Sequence, residues 1–311
     1  MRVLITGGSG FIGSHLAEHF SGIAEVRVLD NFRTGHRSNL DGLNAELIEG
    51  SITDRDVVRA AVRDVDYVFH LAAMVSVPES MTRIIECVDM NVHGLVTVLE
   101  ESAAAGVKKL VFSSSAAVYG DNPSAVKLES MTPDPKSPYA ITKLDGEYYC
   151  RMFCNEGRLK AGCARYFNVF GPRQDPKGAY AAAVPIFIHR ALRGEDLIIH
   201  GDGEQTRDFV YVKDVAAANA HLAMEDDRGD VYNVAGGQSI SINGLAEEIV
   251  RLTGSSSRIV HESVRSGDVR HSLASVEKLA FAGFRAKWNF DDALAETIEY
   301  FRSVDPAVMA R

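Results

Sequence analysis

The chain lacks any apolar run near the roughly 20 residues that a membrane-spanning helix requires. Its first apolar run, Val3–Ile5, is cut short by glycines, so no secretory leader is expected and the expected location is cytoplasmic. Cysteine is scarce. Cys87, Cys150, Cys154 and Cys163 form no C-x-x-C pair, which points to reduced, mostly packed thiols. The ten histidines show no H-E-x-x-H or comparable ligand spacing, so no metal is expected. Basic residues are outnumbered, 33 Lys+Arg against 42 Asp+Glu, giving a net charge of -9. Such a surface argues against nucleic acid or an anionic membrane as the main partner, and an anionic ligand would need a locally positive site. No internal repeat, low-complexity tract or flexible linker is visible. What is there is a globular composition, 46% hydrophobic and 24% charged, on a chain of 311 residues: one large domain or two lobes.

The first half alternates short β-rich runs with amphipathic stretches. Arg2–Thr6, Val26–Asp30, Ala45–Glu49, Tyr67–Leu71 and Leu110–Ser114 are expected as buried strands. The clearest helical pattern runs from Met81 to Ala105. Its apolar positions Ile84, Ile85, Val88, Val92, Leu95, Val96 and Leu99 recur at three and four residues, and Gly106 follows as a cap. Alternation of this kind implies an α/β fold, a doubly wound parallel sheet with helices on both faces. Beyond Tyr166 the pattern loosens into loops, short strands at Leu197–His200 and Phe209–Val212, and helices near Ala181–Leu192, Ile242–Leu252 and Asp291–Phe301. The expected organisation is a Rossmann-type domain over 1–166 and a smaller mixed α/β lobe over 167–311, with segments such as 212–237 returning to the first.

The run VLITGGSGFIGSHL satisfies G-x-G-x-x-G from Gly8 and G-x-x-G-x-x-G from Gly7. A strand precedes it, a helix follows, and Asp30 ends the next strand, the context a dinucleotide site requires. Glycines let a pyrophosphate approach the backbone, and the helix N-terminus near Phe11 offers free N–H groups. Asp30 would hold the adenosine ribose and repel a 2'-phosphate, favouring NAD over NADP, with Arg33 nearby working against that preference.

SPYAITK places Tyr139 four residues before Lys143, on one helical face. Free tyrosine is only about one part in a thousand phenolate at neutral pH. An adjacent ammonium favours the charged form, so the pair can act as a tuned general base. Upstream, FSSSAAVYG ends a strand with Ser113, Ser114 and Ser115, where sheets of this type bind their ligands.

Together TGGSGFIGSHL, HLAA, FSSSAAVYG, SPYAITK, RYFNVFGPRQ and TRDFVYVKDV resemble the extended short-chain dehydrogenase/reductases, and within them the nucleotide-sugar 4-epimerases. The resemblance runs from Val3 to about Phe301. It implies NAD as cofactor, held by Gly7, Gly10, Phe11, Ile12, Gly13, Asp30, Asn31, Thr34, Gly35, Ser51, Ile52, Leu71, Ala72, Ala73, Asn91, Ser113, Lys143 and Phe167. Ser51 departs from the many relatives that carry aspartate there. Tyr139 matches the catalytic base, Lys143 the lysine that lowers its pKa, and Ser115 the hydroxyl that bridges Tyr139 and the sugar 4-oxygen.

The resemblance further implies a UDP-sugar partner held by Asn168, Gln174, Ala182, Arg207, Arg265, Asp268 and Ser272. Related dehydratases carry an Asp-Glu pair beside the position of Ser115, and related decarboxylases a glutamate; here Ala116 and Ala117 stand instead. The implied reaction is transient oxidation at C4 and return of the hydride to the other face. Ser272 aligns with a pocket wall where tyrosine excludes an N-acetyl group, so UDP-GlcNAc and UDP-GalNAc are expected to enter, and UDP-Glc and UDP-Gal as well. A dehydratase, decarboxylase or reductase on the same fold, or a non-catalytic NAD-binding sensor, stay open. By the same resemblance, a homodimer is expected through a four-helix interface of the Met81–Ala105 helix and the Tyr139 helix, with Leu144 and Tyr148 as apolar contacts.

Overall fold

The computed structural model describes residues 1–176, 182–264 and 270–304. Among the described residues twelve strands run in chain order: β1 (Arg2–Thr6), β2 (Glu25–Asp30), β3 (Ala45–Glu49), β4 (Tyr67–His70), β5 (Lys109–Ser115) and β6 (Lys160–Tyr166). They continue as β7 (Asn168–Phe170), β8 (Leu197–His200), β9 (Thr206–Tyr211), β10 (Val231–Val234), β11 (Ser239–Ser241) and β12 (Ile259–Glu262). Seven of them form one sheet in the order β10-β6-β5-β4-β1-β2-β3, with every pairing parallel. The order reverses between β1 and β4, which places the ligand crevice at the carboxyl ends of those two strands.

Strand alternation divides the apolar residues between two cores. Val3, Ile5, Val28, Phe69 and Val111 point to one face, where the Phe11–Phe20 and Val212–Met224 helices cover them. Leu4, Leu29, Val68, Leu110 and Phe112 point to the other, under the Gly94–Ala104 and Pro138–Asn155 helices. The second lobe is smaller. A three-stranded sheet, β11-β9-β7, and the parallel pair β12-β8 pack with the Ala183–Leu192, Ile242–Thr253 and Phe290–Ser303 helices around Phe170, Phe187, Leu245 and Leu294. Only the β11–β9 pairing is antiparallel among the described residues. No helix of the described residues is long and apolar enough to cross a membrane.

The single helix expected over Met81–Ala105 is broken. Helices span Val77–Thr82 and Ile84–Val88, with Arg83 between them out of helical conformation at φ -127°, ψ 55°. A π-type turn follows over Asp89–His93, and the α-helix resumes at Gly94–Ala104. The turn swings Asn91 inward, where its side chain exchanges hydrogen bonds with the Met74 backbone, 2.7 Å and 3.0 Å, and donates to Thr142 Oγ1 at 3.0 Å. Such turns are frequent at functional sites. Ile84 and Ile85, counted by periodicity as core, lie exposed instead, Ile85 at 87%.

Candidate active site

The glycine turn is shaped by close approach. Gly7 has φ +71°, and a Cβ there would meet the Ala72 nitrogen at 2.8 Å. A Cβ on Gly13 would lie 2.2 Å from the Gly7 carbonyl oxygen, so only glycine lets the helix start against the turn. No side chain caps that helix at Gly10, so its first N–H groups face the crevice. Ser9 Oγ is fully buried without a partner among the described residues. Asp30 is spent partly on the protein: its carboxylate accepts the Ser9 N–H at 2.9 Å and the Phe32 N–H at 2.8 Å.

The other expected cofactor residues divide into two groups. Thr34 and Asn31 are exposed at the mouth, Asn31 Oδ1 accepting the Arg33 N–H, while Gly35 packs on Ser9. Leu71, Ala72 and Ala73 follow β4 at the switch point, with the Ala72 N–H on Thr6 Oγ1 at 3.3 Å. Phe11 and Ile12 point their side chains toward the second-lobe core. Phe167 is buried beside Tyr119, ring centroids 6.1 Å apart. Ser51 spends its hydroxyl on Thr53, and Ile52 is buried in the core, so contact through either falls to the backbone. Asn91 is fully engaged by Met74 and Thr142, and it acts as a brace between the loop after β4 and the Pro138–Asn155 helix.

The Pro138–Asn155 helix carries Tyr139 and Lys143. Ser137 caps it by accepting the Ala140 N–H at 3.2 Å, Pro138 fits its first turn, and Ser80 Oγ accepts the Tyr139 N–H at 3.2 Å. Thr142 Oγ1 donates to the Tyr139 carbonyl at 2.8 Å and so links it to Asn91. At Gly146 a Cβ would lie 2.4 Å from the Phe112 ring, and this lets the helix lie close on β5.

Lys143 is buried. Its Nζ donates to the Ser113 carbonyl at 2.7 Å and stands 5.0 Å from the Phe112 ring centroid and 5.8 Å from that of Tyr139. Burial lowers its pKa from 10.5 to about 8. The Tyr139 phenol is raised by burial, opposed by its hydrogen bond to Ser115. The expected lowering by Lys143 is therefore not what the protein groups alone produce: the ammonium is turned to a carbonyl, and desolvation dominates the phenol.

The serine triplet divides by strand alternation. Ser113 Oγ meets Tyr166 Oη at 3.0 Å on one face. Ser114 Oγ donates to Glu147 at 2.5 Å on the other, where Glu147 and Arg165 form a buried bidentate pair at 2.8 Å and 2.7 Å. Ser115 begins the Ala116–Tyr119 turn and accepts the Ala117 N–H at 3.2 Å. Sequence reading missed Glu147, although it lies four residues beyond Lys143 on the same face.

On the second lobe, Asn168 Nδ2 donates to the Asp208 carbonyl at 2.9 Å, and Arg207 Nη1 to the Thr206 carbonyl at 2.9 Å. Gln174 Nε2 donates to the Val169 carbonyl at 3.1 Å, leaving Oε1 buried without a partner among the described residues. Ala182 is exposed and precedes the Ala183–Leu192 helix. The half-buried Ser272 donates its N–H to the Thr206 carbonyl at 3.1 Å. Asp208, also missed, pins this wall by accepting the Ala274 N–H at 3.0 Å and the Gly236 N–H at 2.8 Å, and burial pushes its pKa up to about 6. Arg265 and Asp268 lie outside the described residues.

A doubly wound sheet with a glycine turn at the switch point, and a Tyr, Lys and Ser gathered at the strand ends, define a dinucleotide-dependent enzyme class. The sequence matches the NAD dependent epimerase/dehydratase family over residues 3–235, and the chain belongs to it. It is similar to a UDP-N-acetylglucosamine 4-epimerase from Methanobrevibacter ruminantium M1, solved with UDP-N-acetylmuramic acid: 40% identity, TM-score 0.94, covering 97% of this chain and 98% of that one. It is also similar to the Thermus thermophilus UDP-glucose 4-epimerase, solved with NAD: 36% identity, TM-score 0.90, covering 98% and 100%. A Bacillus cytotoxicus UDP-N-acetyl-alpha-D-glucosaminuronate decarboxylase is 36% identical, over 98% of each chain. The cofactor is NAD. The residues present fit it: the glycine cradle has no room for a Cβ at Gly13, the helix end is uncapped, and Ser9 Oγ is an orphaned buried donor beside it.

Proposed function

We propose that the protein is a 4-epimerase of UDP-hexoses that interconverts UDP-GlcNAc and UDP-GalNAc, and UDP-Glc and UDP-Gal as well. The observation that carries this is the turn Ser115–Ala116–Ala117. A hydroxyl stands beside Tyr139, and the next two positions hold methyl groups. No carboxylate at that place can carry a 4-keto sugar on to elimination or decarboxylation, so returning the hydride is the available outcome.

Bound NAD supplies a hydride acceptor that becomes the donor, and in its oxidised form a positive ring. The protein residues do the rest. Tyr139 takes the 4-hydroxyl proton and returns it. Ser115, whose oxygen already accepts the Ala117 N–H, donates its own proton toward the phenol oxygen or the sugar oxygen. Lys143, fixed on the Ser113 carbonyl, keeps positive charge under the site. Asn168, Gln174, Ala182, Arg207, Arg265, Asp268 and Ser272 would form the UDP-sugar side. The small Ser272 leaves room for an N-acetyl group, and the unpaired Gln174 Oε1 suits a sugar hydroxyl or amide N–H.

The homodimer reading is supported by a surface on which Met81, Ile84, Ile85, Val88, Tyr148 and Met152 are exposed together on adjoining helices. Leu144 turns inward against Val118 and Tyr119, so Tyr148 is the contact on that helix. A cytoplasmic location goes with this reading.

The test is incubation of purified protein with UDP-GlcNAc and, separately, UDP-Glc, without added NAD, following anomeric signals by NMR. The galacto epimer is expected from both. A 4-keto-6-deoxy product or a pentose overturns the assignment, and no turnover with NAD still bound favours a sensor.

A further inference from the structure

Four charged side chains bridge the walls of the dinucleotide crevice. Arg33 lies in the loop after β2; Glu79 and Glu86 lie in the two short helices after β4, and Arg83 in the break between them. Because β1 runs between β2 and β4 in the sheet, these two segments stand on either side of the glycine turn. The gap is spanned by Arg33 Nη2 to Glu79 at 2.5 Å and Arg33 Nη1 to Glu86 at 2.5 Å. Arg83 closes the ring, bonding Glu79 at 2.8 Å and pairing with Glu86. Each carboxylate therefore serves two guanidinium groups, and Arg33 has both η nitrogens on carboxylates. That arrangement also removes Arg33 from competition with Asp30: its charge is neutralised where a 2'-phosphate would need it.

The cluster is tied to the site at both ends. Asn31 Oδ1 accepts the Arg33 N–H beside Asp30, and Gly35 packs on Ser9. Ser80, next to Glu79, holds the Tyr139 N–H. A dinucleotide lying along the glycine turn would run between these two segments, and parting them would break both Arg33 pairs.

We propose that Arg33, Glu79, Arg83 and Glu86 form an ionic clasp over the dinucleotide crevice that sets how slowly NAD leaves. An enzyme that oxidises and re-reduces one substrate needs its cofactor to stay, and the clasp supplies retention without touching the reacting ring. Its members are partly exposed, from 24% for the Arg33 side chain to 52% for Arg83, so salt screens it. The proposal rests on NAD as cofactor and is independent of which sugar is turned over.

The experiment measures release of radiolabelled NAD from the holoprotein into excess unlabelled NAD, with retained label counted after desalting. At low salt the Glu79→Gln/Glu86→Gln variant is expected to release NAD roughly tenfold faster than the parent. Raising salt to about 1 M should speed the parent toward the variant and leave the variant nearly unchanged. Arg33→Met opens the clasp from the other wall and should reproduce the effect, so the reading survives if one variant folds poorly. Equal release rates at low salt, or equal salt acceleration in parent and variant, overturn the clasp. Neither outcome depends on turnover, so an inactive enzyme leaves the measurement intact.

Discussion

Replacing Lys143 with methionine should stabilise the nucleotide-free protein while destroying its function. Lys143 is 4% exposed, and burial lowers its pKa from 10.5 to about 8. At about 1.4 kcal/mol for each tenfold in proton affinity, holding that charge costs the fold about 3 kcal/mol. The sign follows from proton binding. Below about pH 8 both folded and unfolded chains carry the proton and the full cost is present. Between about 8 and 10.5 the folded protein sheds the proton first, so stability rises with pH; above 10.5 the cost is gone. Methionine matches the length of the stem without the charge and forfeits the hydrogen bond to the Ser113 carbonyl, about 1 kcal/mol. The net gain is about 2 kcal/mol at pH 7, or roughly 4 °C in melting temperature for a chain of this size. Thermal unfolding of parent and variant, both stripped of nucleotide, at pH 7 and near pH 9.5 would measure it. A variant less stable than the parent at pH 7, or a difference that does not shrink as pH rises, would show that the buried charge is not the cost described.

Further outcomes are expected from the site and surface. Tyr139→Phe should lower turnover by about a thousandfold with NAD still bound, read by product formation and by nucleotide released on denaturation; near-normal activity removes Tyr139 from proton transfer. Ser272→Tyr should lower the preference for UDP-GlcNAc over UDP-Glc by roughly 10- to 200-fold in kcat/KM, and an unchanged ratio would move the sugar wall elsewhere. Ile85→Lys puts a charge into the most exposed large apolar position of the helix surface, so sedimentation should show monomers where the parent is dimeric; an unaltered species refutes that interface.

Much of the fold was legible because the first lobe repeats a local rule. Runs such as RVLIT alternate between two cores, so strand and face follow from residue type. β6 was not legible: KAGCARY is built of small residues with little strand preference, and it is a strand because helices cover both faces. The break at Arg83 and the turn at Asn91 could not be read from periodicity, which continues through them. They are set by partners far along the chain, the loop after β2 for Arg83's neighbours Glu79 and Glu86, and Met74 and Thr142 for Asn91. At the site, SPYAITK put Tyr139 and Lys143 on one helix face but did not show the lysine's partner. The Ser113 carbonyl belongs to another strand, and burial, which sets the direction of both pKa shifts, is a tertiary property.

The missing side chain at Gly146 has an electrostatic reach. With the Phe112 ring directly beneath it, the helix lies nearer the sheet than a side chain at 146 would allow, and Lys143, one turn earlier, is buried inside the protein. A helix raised by one methyl group would lift Lys143 with it and ease the burial that lowers its proton affinity. A hydrogen atom at position 146 thus works as a depth gauge: it tunes an ionisable group it never touches.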